Sequence, residues 1–170
     1  MIRKISLILT FSFLLLGLLK VNGEGGISMK LTSPDFKNNE YLPKKFTCDG
    51  KAINPSLNIE SIPDNAKSLA LIVDDPDAPA GTFIHWIVFD IPVTNKIAEN
   101  TAPGKQGITS SRTKEYVSPC PPSGTHRYFF KIYALDTMLN LKEGITKQEL
   151  EAAMKGHIVA QAEMIGLYKR

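Results

Sequence analysis

The sequence has few of the residues that most often carry metal binding or nucleophilic catalysis. Its 170 residues include only two cysteines, three histidines and one tryptophan. The two cysteines, Cys48 and Cys120, lie too far apart for a CxxC metal site. The chain has no HxH, HxxxH or HExxH motif, no GxSxG nucleophile elbow and no glycine-rich phosphate loop. No motif therefore indicates a zinc enzyme, an α/β-hydrolase or a nucleotide-binding protein.

The sequence also lacks an apolar run long enough to span a membrane. The longest such run, Ile5 to Leu19, has about 15 residues, whereas a spanning helix needs roughly 20. Arg3 and Lys4 precede the run, and Val21 to Gly23 follow it with residues that a cleavage site tolerates. This pattern predicts a secretory signal peptide over residues 1–23 and a secreted or periplasmic location, with an uncleaved anchor as the alternative. Residues 24–170 are then expected to form a single domain.

The predicted mature chain has no excess of either charge. The full sequence carries 20 basic and 17 acidic residues, a net charge of +3 and a pI near 8.8. Arg3, Lys4 and Lys20 belong to the predicted signal peptide, which contains no acid, so 17 basic residues face 17 acidic ones in the remainder. This balance removes the charge argument for nucleic acid or for an anionic membrane surface.

The two cysteines both remain after removal of the signal peptide. Outside the cytosol an even number of cysteines favours a disulfide, here between Cys48 and Cys120. A loop of this length would be stabilised by about 4 kcal/mol relative to the open chain. Two free thiols are the alternative if the signal peptide has been misread.

Short strand-like segments dominate the rest of the chain. Four apolar, β-branched or aromatic runs predict strands: Ser68 to Val73, Ile84 to Ile91, Arg127 to Leu135 and Ile158 to Leu167. Met29 to Thr32 and Leu57 to Glu60 are shorter candidates. One helix is predicted, from a capping box at Thr146 to Glu149 to a stop at Gly156. The pattern indicates a mainly β domain of two packed sheets with one or two short peripheral helices.

The connection from Pro92 to Pro122 shows no strand signal except near Tyr116. Long irregular connections in compact domains are usually functional. We therefore expect this segment to contribute to a binding surface.

Two proline-rich loops adjoin the two histidines that lie in strand candidates. The loop DPDAP, Asp75 to Pro79, precedes His85, and the loop PCPPSG, Pro119 to Gly124, precedes His126. Proline fixes its own φ and restricts the preceding residue, so both loops are stiff. Ordinary turn chemistry explains either loop alone, but the repeated pairing of a stiff loop with a strand histidine favours a site.

Strand alternation predicts which way these side chains point. His85 should share a face with Ile87 and Phe89, while Trp86 and Val88 point to the other side. By the same rule His126 should share a face with Tyr128, and Arg127 should point away. His157 follows the helix stop and is expected to satisfy helix-end carbonyls.

Three chemistries are compatible with these residues. A metal site could use Asp75, Asp77, His85 and His126, although their spacing matches no metal motif. A hydrolase could use Ser123 beside His126, but no nucleophile elbow supports it. Capture of a small anion fits best, because imidazoles and a tyrosine hydroxyl can donate hydrogen bonds while carboxylates behind the imidazoles fix their tautomers.

Four segments together resemble the phosphatidylethanolamine-binding protein family, also called Raf kinase inhibitor-like. They are DPDAP at 75–79, HW at 85–86, CPP at 120–122 and GTHRYFFKIYALD at 124–136. CDGKAINPSL at 48–57 and GHIVAQAEMIGLYKR at 156–170 are similar to the shorter bacterial and archaeal branch. The resemblance runs from about Met29 to the C-terminus.

The resemblance implies a β-sandwich-like fold with an anion pocket at one sheet end. Its ligand-binding residues would be Asp75, Pro79, His85, Pro121, His126 and Tyr128. Asp77, Trp86 and Arg127 would support them, with Arg127 pairing with Asp77, and the Ala78–Pro79 bond would be cis. The chain departs from animal members in lacking a longer C-terminal helix and in carrying Cys120 where they have glycine.

The predicted function is a secreted, non-enzymatic binding module for a phosphate-like headgroup, such as that of a phospholipid. A protease inhibitor or other protein-interaction module that uses residues 92–122 is the alternative, and a hydrolase is the third hypothesis. No cofactor, metal or nucleic-acid partner is expected, and a homodimer is left open.

Overall fold

The computed structural model describes residues 28–170, so the predicted signal peptide at 1–23 lies outside the described residues. Within them the chain forms nine strands, one α-helix and a 3-10 turn at Lys44–Phe46. The elements are β1 (Lys30–Thr32), β2 (Glu40–Tyr41), β3 (Leu57–Glu60), β4 (Ser68–Asp75), β5 (Phe83–Ile91), β6 (Lys96–Ile97), β7 (Lys105–Gln106), β8 (Thr125–Leu135), α1 (Lys147–Met154) and β9 (Ile158–Lys169). No helix among these residues is long and apolar enough to cross a membrane.

The strands form two sheets, as the sequence predicts. The smaller sheet has the order β1-β3-β6, and the larger has the order β2-β9-β8-β4-β5-β7. All pairings are antiparallel except that of β2 with β9. Asp75, at the end of β4, lies near the start of β5 and the start of β8, so residues from all three strands meet at one end of the large sheet.

The large sheet is buried on both faces. One face packs on the small sheet around Leu71, Trp86 and Phe130, and the other packs on α1 around Ile72 and Ile87. Every residue of β4 is accordingly buried. This burial on both sides explains why SLALIV is continuously apolar rather than alternating. The sheet is therefore a rigid base for the loops at its end.

The helix begins where the capping box predicts. Thr146 Oγ1 accepts a hydrogen bond from the Glu149 backbone N–H, and the Thr146 N–H donates to Glu149 Oε2 at 2.8 Å. Leu150 and Met154 form its buried face. Gly156 has φ +85°, a left-handed conformation that favours glycine after a helix end.

The connection from Pro92 to Pro122 differs from its prediction in two respects. It contains the two-residue strands β6 and β7, which are too short to leave a sequence pattern. The strand suggested near Tyr116 is wrong: the chain there has no strand, and it is joined to β5 by the Val117 N–H, which donates to the His85 carbonyl at 2.9 Å. Tyr116 is instead held by packing, edge-on against Trp86 with ring centroids 5.6 Å apart.

The predicted disulfide is confirmed. Cys48 and Cys120 are bonded, with an S–S distance of 2.07 Å and Cα atoms 5.4 Å apart. The backbone N–H of Cys48 also donates to the Pro119 carbonyl at 3.1 Å. The bond thus fastens the second proline-rich loop to a segment 72 residues away in sequence.

Candidate functional site

A cavity of about 320 Å³ opens at the end of the large sheet where β4, β5 and β8 meet. Its volume lies at the lower end of the range of small-molecule sites, which runs from roughly 300 to 1,000 Å³. All six residues predicted to bind ligand line it: Asp75, Pro79, His85, Pro121, His126 and Tyr128. The structure adds residues that sequence reasoning missed: Ala78, Phe83, Ser111, Val117, Ser118, Cys120 and Pro122.

The DPDAP loop places Asp75 and Pro79 through its own turns. Asp75 Oδ1 accepts the Asp77 backbone N–H at 2.8 Å, and the Gly81 N–H donates to the Ala78 carbonyl at 3.0 Å. The predicted cis bond at Ala78–Pro79 is wrong, because no cis peptide is found in residues 28–170. Pro79 is the second residue of the turn that Ala78 and Gly81 close, a position at which trans proline is favoured.

Asp75 and His126 form a buried pair at the base of the cavity. Asp75 Oδ2 lies 2.7 Å from His126 Nδ1, and both side chains are almost fully buried. A carboxylate only accepts, so Nδ1 is the protonated nitrogen, and Nε2 is left for the cavity. The structure thus places a carboxylate behind one of the two cavity imidazoles.

His85 reaches the cavity because β5 contains a bulge. Val73 pairs with Trp86 and Asp74 pairs with Ile84, so His85 is an extra residue without a partner on β4. The predicted face is therefore wrong. His85 contacts Tyr128 on the side of the sheet that Trp86 faces, and not the side of Ile87 and Phe89. A bulge re-aims side chains in this way, and period-2 reasoning cannot find it.

His85 is oriented by a backbone carbonyl rather than by a carboxylate. Its Nδ1 lies 2.6 Å from the Val117 carbonyl oxygen, and its ring packs against Phe83 with centroids 4.7 Å apart. Burial lowers the pKa of His85, although the Val117 carbonyl acts in the opposite direction. The imidazole is thereby held neutral with Nδ1–H donated, and Nε2 keeps its lone pair.

Tyr128 presents an unpaired hydroxyl. Its side chain is fully buried, and its Oη is the one buried side-chain polar atom in residues 28–170 that has no hydrogen-bond partner. Burial raises the pKa of Tyr128, so the hydroxyl keeps its proton. A buried polar group without a partner costs free energy, so this hydroxyl requires a physical explanation, and a ligand that completes its hydrogen bond would supply one.

Arg127 points away from the cavity and pairs with Asp77, as predicted. The guanidinium donates through Nε and Nη2 to the two Asp77 carboxylate oxygens at 2.9 and 2.7 Å, and the Arg127 N–H donates to Oδ2. The Arg127 hydrogen bond lowers the pKa of Asp77 to about 2. This bidentate pair clamps the DPDAP loop onto β8 from outside.

The PCPPSG loop forms a second wall of the cavity, in addition to the DPDAP loop. Its attachments are the disulfide at Cys120, the Pro119 carbonyl and a hydrogen bond from Arg170 Nη1 to Cys120 Sγ at 3.3 Å. Arg170 also approaches Asp49, beside Cys48, at 3.6 Å. The disulfide therefore positions the wall that carries Pro121.

The structure also places three other residues that the sequence analysis singled out. Trp86 lies in the core and donates from Nε1 to Gln106 Oε1 at 2.8 Å, so it supports the fold and does not touch the cavity. Ser123 is exposed and does not line the cavity. His157 donates its backbone N–H to the Met154 carbonyl at the helix end, as expected, and its Nδ1 lies 2.9 Å from Asp136 Oδ1.

A larger cleft of about 750 Å³ lies on the opposite side of β4. Asp74, next to Asp75 in sequence, faces this cleft and accepts hydrogen bonds from Lys131 Nζ at 2.8 and 2.9 Å. The two adjacent aspartates therefore serve opposite faces of the sheet. The cleft lacks the buried unpaired groups that mark the smaller cavity.

The charge of the cavity is unusual for an anion site. Asp75 is its one carboxylate, and no lysine or arginine lines it among the residues that the structure describes. Residues 28–170 also contain no cluster of three side chains that could hold a metal ion. Hydrogen-bond donors are supplied by the Tyr128 hydroxyl and, when protonated, by His126 Nε2.

Comparison with known proteins gives a consistent result. The model of the family described as phosphatidylethanolamine-binding protein matches residues 32–169. A UPF0098 protein of Pyrococcus horikoshii is 50% identical over 161 residues, which cover 87% of this chain and 80% of that protein. A UPF0098 protein of Methanothermobacter thermautotrophicus is 45% identical over 150 residues, 84% of this chain and 99% of that protein.

Two solved structures share the fold. The putative phosphatidylethanolamine-binding protein homologue CT736 of Chlamydia trachomatis is 43% identical, with a TM-score of 0.82 over 84% of this chain and 98% of that one. Escherichia coli YbcL, described as a member of the mammalian family, is 26% identical, with a TM-score of 0.78 over 84% and 99% of the two chains.

Proposed function

This chain belongs to the phosphatidylethanolamine-binding protein family, and we propose that it is a secreted, non-enzymatic binding module whose cavity takes a small phosphate-like group. That group could be free or could be the headgroup of a phospholipid. The proposal concerns the cavity lined by Asp75, His85, His126 and Tyr128.

The unpaired hydroxyl of Tyr128 is the observation that carries the proposal. It is fully buried and has no partner among the residues that the structure describes. Nε2 of His85 and Nε2 of His126 also lack partners there, but they are not sealed from solvent. The three side chains line one cavity, and each carries a polar atom without a partner in residues 28–170. A compact group that both donates and accepts hydrogen bonds would satisfy all three.

The dimensions and rim of the cavity support a headgroup rather than a whole lipid. A volume of about 320 Å³ accommodates a phosphate with a few attached atoms, so acyl chains would remain outside. Pro79, Phe83, Pro121 and Pro122 provide an apolar rim around the polar base.

Secretion is supported by two separate features. Residues 1–23 have the pattern of a signal peptide. The Cys48–Cys120 disulfide is typical of proteins that fold in an oxidising compartment. Expression with residues 1–23 in an Escherichia coli host, followed by N-terminal sequencing of the periplasmic fraction, should give a chain that begins near Glu24; exclusively cytoplasmic full-length protein would contradict secretion.

Titration with phosphate and with phosphoethanolamine, followed by NMR of the imidazole signals, tests the binding proposal. The chain has only three histidines, so each can be assigned with single substitutions. We expect the His85 and His126 signals to shift and saturate with either ligand, while His157, which lies outside the cavity, stays unchanged. Absence of any response from His85 and His126 to both ligands would overturn the proposal.

A matched pair of histidine variants gives the control. His126→Leu removes a polar side chain from the cavity and should weaken phosphate binding by about tenfold or more. His157→Leu alters an exposed histidine that pairs with Asp136 outside the cavity and should leave binding unchanged.

The two other hypotheses stay predictions with their own tests. A hydrolase would use the His126–Asp75 pair as a general base, and turnover of a phosphate or carboxylate ester should then be lost in His126→Ala. A protease inhibitor would slow one member of a protease panel, and substitutions at exposed positions of the 92–122 segment, such as Val93, would weaken that inhibition.

A further inference from the structure

The orientation of His85 determines what kind of hydrogen bond a ligand must make. Carbonyl oxygens only accept, so the 2.6 Å contact between His85 Nδ1 and the Val117 carbonyl requires a proton on Nδ1. In a neutral ring the other nitrogen, Nε2, is then a hydrogen-bond acceptor. Within residues 28–170 Nε2 has no hydrogen-bond partner, and the ring lines the cavity. The cavity therefore offers an acceptor where a bare anion would need a donor.

The charged and titratable groups around His85 bear on whether a bare anion can bind beside its acceptor nitrogen. From β4, Asp75 faces the cavity, whereas Asp74 lies across the sheet and is paired with Lys131. From β8, His126 and the uncharged Tyr128 hydroxyl face the same cavity. From residues 108–118 the neighbours of His85 are Ser111, Val117 and Ser118, none of which is charged.

From this arrangement, which rests on the proposed function, we infer that the cavity selects phosphate groups that carry a proton. The ligand class is hydrogen phosphate, or a phosphomonoester in its singly protonated form. The P–OH group donates to His85 Nε2, and the remaining phosphate oxygens lie beside Tyr128 and His126, which line the same cavity. Phosphodiesters and sulfate, which have no proton to donate near neutral pH, are disfavoured.

The physical basis of this selection is the cost of an unpaired buried acceptor. A fully deprotonated oxyanion would direct a lone pair at the lone pair of His85 Nε2, and it would also lie close to the Asp75 carboxylate. A site built around a specific hydrogen bond strongly rejects analogues that cannot form it. Because the cavity is partly open to solvent, we expect discrimination of at least about tenfold rather than the larger factors of sealed sites.

Sulfate and phosphate form the sharpest pair of probes. Near pH 7 both are small tetrahedral oxyanions, but only inorganic phosphate retains a proton. Isothermal titration calorimetry at about pH 7 and constant ionic strength should give a phosphate affinity at least about tenfold above that of sulfate. Equal affinities would overturn the inference while leaving the proposed function intact. Failure of both anions, and of the monoester below, to bind would overturn the two together.

A second pair of probes separates the sources of phosphate. Phosphoethanolamine is a monoester, and glycerophosphoethanolamine is the corresponding diester, which represents the lipid headgroup. At about pH 6, where a monoester is partly protonated, phosphoethanolamine should bind at least about tenfold more tightly. Tighter binding of the diester would contradict the inference and would favour a phospholipid headgroup as the ligand.

Two variants test whether His85 itself is responsible. His85→Gln can donate its amide N–H to the Val117 carbonyl and present its amide oxygen to the cavity, so the preference for phosphate over sulfate should persist. His85→Leu removes the acceptor, and the ratio of the two affinities should fall towards one. An unchanged ratio in a folded His85→Leu protein would contradict the assignment. If that variant fails to fold, the comparison of the two anions on the unmodified chain still decides the matter.

Discussion

His126 Nδ1 lies 2.7 Å from Asp75 Oδ2, whereas the adjacent carboxylate, Asp74, lies on the opposite face of the sheet with Lys131 Nζ at 2.8 Å. Because successive side chains of β4 point to opposite faces of the sheet, these two consecutive aspartates have different roles. Asp75 sets the proton position on a cavity histidine, and Asp74 neutralises a lysine beside another cleft.

Substitution of these two aspartates should separate binding from stability. Asp75→Asn weakens the charge-assisted hydrogen bond that orients His126, so we expect phosphate affinity to fall by about tenfold or more. Asp74→Asn, the matched control, should lower the free energy of unfolding but leave affinity unchanged, because its side chain does not reach the cavity. Calorimetric titration of both variants measures this; equal losses of affinity would contradict the assignment of Asp75.

The disulfide should contribute to both the fold and the cavity. Loss of a cross-link that closes a loop of 72 residues is expected to lower the free energy of unfolding by about 4 kcal/mol. It should also weaken phosphate binding, because Cys120 is in the wall that carries Pro121.

Urea unfolding with and without a reductant measures the effect of the disulfide. A protein with both Cys48→Ser and Cys120→Ser should match the reduced wild type and should not respond to the reductant. A wild-type unfolding curve that is insensitive to a reductant able to break the bond would show that the cross-link does not contribute as expected.

The low pKa of His85 should make stability depend on pH. The pKa of His85 in the folded protein lies below its value of about 6.5 in the unfolded chain. At a pH between these two pKa values, the unfolded chain therefore binds more protons than the folded protein. Stability from this residue is therefore full above about pH 6.5 and is lost as the pH falls below that value. His85→Gln, which does not titrate, should lose less stability than the wild type between about pH 7.5 and pH 5. Parallel stability curves for the two proteins would argue against a neutral buried His85.

Much of the fold follows from local patterns. Leu57 to Glu60 is a strand at the predicted bounds, and the capping box at Thr146 marks the start of α1. The pairing of Arg127 with Asp77 was also predictable, because alternation along β8 sends Arg127 away from His126 towards the outside of the DPDAP loop.

Other features of the site have no signal in a single sequence. The bulge at His85 arises from pairing with β4 and reverses the face that alternation predicts. The partner of His85 is a backbone carbonyl, that of Val117, and every residue type carries such a group. The trans bond before Pro79 depends on the turn that Gly81 closes. These details depend on tertiary contacts, which the order of residues does not display.

The clamp between Asp77 and Arg127 gives a second prediction of pH-dependent stability, in a more acidic range. The folded pKa of Asp77 is about 2, below its ordinary value of 3.8, so its stabilising effect is present above pH 3.8 and is lost as the pH falls through about 2. Asp77→Asn should therefore lower the melting temperature slightly at neutral pH, and the difference from wild type should shrink as the pH falls towards 2. Asp64→Asn, in an exposed turn, is the control and should have no comparable effect. A difference in melting temperature that does not change with pH would contradict the ion pair.

The most direct test of the account is Tyr128→Phe, measured for both stability and binding. The substitution removes a buried hydroxyl that has no protein partner. The free energy of unfolding of the ligand-free protein should therefore stay constant or rise by about 1 kcal/mol, because the unpaired polar group is gone. Phosphate affinity should fall by about tenfold, because the ligand loses a donor. A fall in stability together with unchanged phosphate affinity would contradict the claim that this hydroxyl is held ready for a ligand.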